Sequence, residues 1–115
     1  MTRESMIICP QKNNEGKDLS KLSELVTRKL VKAFGGCTQD EAIGSWIDPN
    51  TDTLYNERVW RFFSAYSPNA ENDNILRSIG EMIGQLGEQF AVYIRYASGN
   101  VEILDTSKYA AKLAA

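Results

Sequence analysis

The stretch Tyr55 to Tyr66, reading YNERVWRFFSAY, limits what this chain can fold into more than any other. In a strand, alternate side chains face opposite sides of the sheet. One face here carries Asn56, Arg58, Trp60, Phe62, Ser64 and Tyr66; the other carries Tyr55, Glu57, Val59, Arg61, Phe63 and Ala65. Both faces hold large apolar groups in their second half. A half-exposed edge strand does not do this. The pattern calls for a sheet with one side covered from within and the other by a partner.

The rest of the chain supplies that sheet. Met6-Ile7-Ile8-Cys9 is a short apolar run ended by Pro10 and reads as a first strand, followed by a polar loop from Gln11 to Lys17. Asp18 is a candidate N-cap. Leu19, Leu22, Val26, Leu30, Ala33 and Phe34 then recur at helical spacing, and Gly35-Gly36 ends the helix as a C-cap. Strand character returns at Ala42-Ile43 and Ser45-Trp46-Ile47, and Asp48 to Asp52 is a turn. After Tyr66, Ser67-Pro68-Asn69 breaks the strand. Ile75, Leu76, Ile79, Met82, Ile83 and Leu86 make a second amphipathic helix. Gly80, Gly84 and Gly87 run beside that stripe, each costing up to about 1 kcal/mol relative to alanine. That cost predicts close approach on their side, by the sheet or by a neighbouring subunit. Phe90 to Ala97 reads as a fourth strand and Val101 to Leu104 as a fifth, joined by a turn at Ser98-Gly99-Asn100.

This order predicts an α+β fold: a ferredoxin-like βαββαβ sandwich with a C-terminal hairpin extension. Two helices would cover one face of the antiparallel sheet. The bare face would take Tyr93 or its neighbours, with one set of Trp60, Phe62 and Tyr66. An exposed apolar face of that size predicts association. By analogy of fold, such sheets close into dimers or trimers, as in PII-like signalling proteins. One domain is expected over residues 1–105. Residues 106–115 read as a tail, because Lys112-Leu113-Ala114-Ala115 resembles the start of a vector-derived linker.

Composition removes several functions. With 115 residues, 43% hydrophobic and 24% charged, the chain has the make-up of an ordinary single domain. A net charge of −2 with no strongly basic segment argues against nucleic acid as the main partner. No apolar run reaches membrane-spanning length, and the N-terminus lacks the form of a signal peptide, so no membrane partner and a cytoplasmic location are expected. The chain has no histidine, and its two cysteines, Cys9 and Cys37, stand apart. They read as reduced, buried small hydrophobes, and no metal site or cofactor is expected. Catalysis would have to use carboxylates, tyrosines, lysines or the substrate's own groups. Gly35-Gly36 follows a helix instead of opening one and lacks a lysine, so it is no phosphate loop.

Glu57 is the main candidate for chemistry, because glutamate is disfavoured in a strand. Its plain reading is a solvated or salt-bridged edge residue, the bridge being to Arg58 or Arg61 of a neighbour. Its functional reading is a carboxylate at the rim of the sheet that binds a cationic group in a cleft between subunits. Trp46 lies on the partner strand; it is either packing or a platform for a flat base or a cation. Tyr55 points the same way as Glu57 and adds a hydroxyl.

The element order, with Gly35-Gly36-Cys37-Thr38, Gly44-Ser45-Trp46 and Glu57-Arg58-Val59, resembles the phage-encoded S-adenosylmethionine lyases. These are small ferredoxin-like trimers with active sites between subunits. The family's aromatic residue at the end of the second strand is a tyrosine, where this chain has Trp46. The resemblance implies Glu57 and Tyr55 as catalytic residues, with Trp46, Gly44 and Ser45 binding substrate. It implies cleavage to methylthioadenosine and homoserine lactone, with S-adenosylmethionine or a related nucleoside as ligand and a homotrimer as assembly, a homodimer being second choice. In that role Glu57 would hold the substrate's ammonium, and Trp46 or Tyr55 would contact the adenine or the sulfonium. Two other readings stand beside it: an oligomeric module that binds a nucleotide-like molecule without catalysis, and a phage inhibitor that docks a host protein on its apolar sheet face.

Overall fold

A computed structural model describes residues 1–114, with side chains described to Ala110. The elements run β1 (Arg3–Pro10), α1 (Ser20–Phe34), β2 (Thr38–Asp48), β3 (Thr53–Tyr66), α2 (Ala70–Leu86), β4 (Ala91–Arg95), β5 (Val101–Asp105) and α3 (Ser107–Ala114). The five strands form one sheet in the order β2-β3-β1-β4-β5, antiparallel at every pair. This is the interleaved βαββαβ arrangement expected from the sequence, with β5 added at the edge. Among the described residues, no helix is long and apolar enough to cross a membrane.

β3 sits between β1 and β2, and its pairing explains its composition. From Val59 to Phe63 it is paired on both sides, to Pro10–Met6 of β1 and to Ala42–Thr38 of β2, and from Ser64 to Tyr66 it pairs with β1 alone. From Thr53 to Arg58 it keeps only β2 as a ladder partner. Pro10 ends the β1 ladder opposite Val59, and the chain then turns away. The β2–β3 hairpin thus runs on as a two-stranded arm.

α1 and α2 cover the even-numbered face of β3. Ile7, Cys9, Phe62, Tyr66, Val92, Ile94 and Leu104 meet Leu22, Val26, Leu30, Leu76, Ile79 and Ile83 in the core. Burying a side chain such as Phe62 stabilises the fold by about 1.5–3 kcal/mol. Phe62, Tyr66 and the partly buried Trp60 therefore belong to the covered side, not the bare one. The bare side takes the odd residues Tyr55, Val59 and Phe63. The register places Met6 opposite Phe63, and Tyr93 faces this side as expected. Because both faces of β3 are apolar, periodicity alone gave no way to choose between them.

Several boundaries shift for local reasons. Leu19, not Asp18, occupies the N-cap of α1, but the Asp18 carboxylate still accepts from the Ser20 N–H (3.2 Å) and hydroxyl (2.9 Å). Ala33 is exposed, outside the buried stripe. Gly35 closes α1 in the left-handed conformation at φ 89°, with its N–H on the Val31 carbonyl at 2.8 Å. α2 begins ahead of its apolar stripe because Asn69 caps it, accepting from Asn72 N–H at 2.8 Å. Thr106, placed by sequence in the tail, is fully buried, and α3 follows it.

Gly80 packs on this chain's own sheet and Gly84 on Thr106 just after β5, while Gly87, the C-cap of α2, sits against Leu22 of α1. A Cβ on Gly80 would stand 2.7 Å from Ile94 Cδ1, and one on Gly84 would stand 2.3 Å from Thr106 Cγ2. Thr106 fills the space that Gly84 leaves. Its hydroxyl donates to the Gln89 carbonyl, and its N–H donates to the Phe90 carbonyl at 2.9 Å. The glycine thereby fixes the Gln89–Phe90 segment.

Two outcomes follow from this packing. Gly84→Ala should lower unfolding free energy by about 1–3 kcal/mol, since the fixed Thr106 must move; denaturant unfolding with no loss of stability would contradict the fit. Cys9 is fully buried and burial pushes its thiol up to about 12, while Cys37 is only part-buried. At pH 8 a thiol reagent should modify Cys37 and reach Cys9 only on unfolding; equal rates for the two would contradict the packing.

Candidate functional site

The hairpin register brings the expected residues together. Trp46 lies directly opposite Tyr55, and Gly44 directly opposite Glu57. Strand alternation puts all four on the bare side of the sheet. The Trp46 and Tyr55 rings stack at 4.8 Å between centroids and 21° between planes. The Trp46 indole N–H donates to Glu57 Oε1 at 2.7 Å. One strand supplies the carboxylate and the stacking phenol, and the other supplies the indole that holds the carboxylate.

Glu57 makes no ion pair among the described residues. The two arginines considered as its partners do otherwise. Arg61 forms a two-point contact to Asp40 across β2–β3, at 2.9 and 2.6 Å, and lies 5.3 Å from the Phe63 ring centroid. Arg58 projects to the opposite face and makes no salt bridge among the described residues. No described side chain bonds Glu57 Oε2, so one carboxylate oxygen is anchored and the other is open.

These residues line a groove. One compartment of about 380 Å³ is bounded by Asn13, Asn14, Trp46, Tyr55, Asn56, Glu57 and Phe90. A second, of about 590 Å³, continues past Trp46 to Pro49, Gln89 and Ala91. Both volumes suit a small ligand. Asn13 braces the β1–α1 loop: its Oδ1 accepts from the N–H groups of Glu15 and Lys17 at 2.9 Å each, and its amide donates to Glu88 at 3.4 Å. The far wall is the Gln89–Phe90 segment that Thr106 fixes.

Gly44 and Ser45 occupy different positions. A Cβ on Gly44 would make only ordinary contact, 3.5 Å from Val59 Cγ1, so no close approach demands glycine there. Ser45 neighbours Trp46 in sequence and so faces the other side of the arm, where its hydroxyl donates to Asn56 Oδ1 at 2.6 Å. It stands apart from the Trp46 face. Asn13, Asn14, Gln89 and Phe90 had no local signal as site residues; loop packing alone brings them in.

The arm is apolar on its other face too. Ile43, Ile47 and Leu54 are 62%, 56% and 59% exposed, beyond the reach of the helix layer. Trp46 and Tyr55 are 47% and 43% exposed on the site side. Among the described residues, no group of three or more histidine, cysteine or acidic side chains is placed to hold a metal ion.

The chain shares its fold with phage SAM lyases. It is similar to the structure of a phage SAM lyase in complex with S-methyl-5'-thioadenosine, with a TM-score of 0.68 and 9% identity over 90% of this chain and 89% of that one. It is also similar to a phage SAM lyase in the apo state, with a TM-score of 0.59 and 12% identity over 86% of this chain and 82% of that one. At these identities the likeness is one of fold. No family model matches the chain. No curated protein matches it either.

The Trp46–Glu57 bond is testable without a ligand. A double-mutant cycle on Trp46→Phe and Glu57→Gln should give a coupling free energy of about 0.5–1.5 kcal/mol in unfolding. Strict additivity would mean that the two side chains do not hold each other.

Proposed function

We propose that the protein is an S-adenosylmethionine lyase, releasing methylthioadenosine and homoserine lactone from a groove at the rim of its sheet. The carrying observation is the Glu57 carboxylate, held by the Trp46 indole beside the stacked Tyr55, with one oxygen free inside the groove. The similar lyase structure that holds S-methyl-5'-thioadenosine supports a nucleoside in such a groove.

The chemistry suits a chain without histidine. The substrate's own carboxylate attacks its γ-carbon. A C–O bond forms, the C–S bond breaks, and the electron pair passes to sulfur. The sulfonium becomes the neutral thioether of methylthioadenosine, and the carboxylate becomes the ester of homoserine lactone. No proton is transferred and no protein nucleophile is needed. The protein must hold the folded conformer, and such positioning supplies several kcal/mol. Opposite charges disappear in the transition state, so a dry groove favours it over the charged ground state.

The flow of charge decides which group Glu57 can usefully hold. A carboxylate beside the sulfonium would stabilise a charge that the reaction destroys, and so would favour the ground state. The substrate's ammonium keeps its charge throughout. Glu57 therefore holds the ammonium, and Trp46, Tyr55 and Phe90 take the purine and exclude water. The groove is open in one chain, and the apolar arm supports closure by a second copy, in a trimer built on the bare face.

The test is incubation with S-adenosylmethionine and identification of products by mass spectrometry. Methylthioadenosine and homoserine lactone are expected. Glu57→Gln should lower kcat/KM about 10- to 100-fold, the worth of a charge-assisted hydrogen bond, with native mass unchanged. Substrate recovered intact after hours with the wild-type protein would overturn the proposal; if it is recovered bound, a sequestering role replaces it.

A further inference from the structure

Glu57 is a wall between two unlike compartments. On one side lie Trp46, Tyr55 and Phe90. On the other is a cavity of about 400 Å³ that includes Gln11, Lys12, Asn13, Asn56 and Arg58. This second cavity lies along the β3 edge that β1 leaves open. The Gln11 N–H bonds the Arg58 carbonyl at 3.1 Å, which sets the start of the β1–α1 loop, and with it Lys12, against β3. Lys12 and Arg58 are both exposed, and neither forms a salt bridge among the described residues. Two cations outside any salt bridge among the described residues, and the carboxylate oxygen of Glu57 that Trp46 leaves open, thus border one cavity, next to an aromatic one.

That polarity matches an α-amino acid joined to a nucleoside. An ammonium and a carboxylate on one carbon need an anion and a cation side by side, and the flat base needs rings beyond the anion. Resting on the reading of the groove given above, we infer that Lys12 and Arg58 form the subsite for the substrate's carboxylate, and so select the amino-acid-bearing nucleoside over the nucleoside alone. The cations hold one carboxylate oxygen, which becomes the lactone carbonyl oxygen, and leave the other to attack the γ-carbon. The carboxylate loses its charge in that step, so the contact serves binding more than chemistry. Removing it should raise KM far more than it lowers kcat.

Two uncleavable ligands separate this inference from the lyase reading. S-adenosylhomocysteine carries the amino acid head but no sulfonium, and methylthioadenosine lacks the head. Calorimetry on the wild-type protein should show the first binding more tightly. Lys12→Met with Arg58→Met should weaken S-adenosylhomocysteine about 10- to 100-fold and leave methylthioadenosine unchanged, which also reports that the variant is folded. Equal weakening of both ligands, or of neither, would overturn the subsite and leave the lyase reading standing. Failure of the wild-type protein to bind either nucleoside would overturn both.

Discussion

The structure depends on where β1 stops. The β1–β3 ladder ends at Pro10 opposite Val59, and after one more bond, from the Gln11 N–H to the Arg58 carbonyl, the chain leaves the sheet. β3 continues to the hairpin turn with β2 alone, past the reach of both helices. This one mismatch in strand length produces the free arm, the open β3 edge and the groove beneath the arm. It also explains why β3 is apolar on both faces: its second half is central in the sheet, and its first half projects.

The site is then assembled by register. In an antiparallel pair, directly opposed residues share a face, so Trp46 meets Tyr55 and Gly44 meets Glu57 without any loop having to be shaped for it. The indole–carboxylate bond fixes the Glu57 rotamer, and the stacked phenol stiffens the platform. The loops contribute the walls. Asn13 ties one wall to its own backbone and to Glu88, and Thr106, seated against Gly84, ties the other. A glycine in a helix on the far side of the sheet is thus linked to the shape of the groove.

Much of this was legible in the chain. Helical spacing gave α1 and α2, alternation gave β3, and the same alternation put Tyr55 and Glu57 on one face. The glycine stripe signalled close packing, though not whether sheet or subunit supplied it. The choice of face for β3 was not legible, because Trp60, Phe62 and Tyr66 compete with Val59 and Phe63 on equal terms. Ser45 comes in with Trp46 through the Gly44-Ser45-Trp46 segment of the resemblance, although adjacent strand residues face opposite ways. Phe90 and Asn13 became site residues only through tertiary packing, and Thr106 was hidden in a segment set aside as a tail. The Arg61–Asp40 pair lies across the β2–β3 register, which no local pattern specifies.

The Trp46–Glu57 pair is where a ligand of the proposed reaction would sit. The indole N–H resonances report on it directly, because the chain has two tryptophans, and Trp60 lies on the covered side of the sheet. Titration with methylthioadenosine should shift the Trp46 indole resonance and leave that of Trp60 in place. A shift confined to Trp60, or none at either indole while the nucleoside binds, would contradict the account.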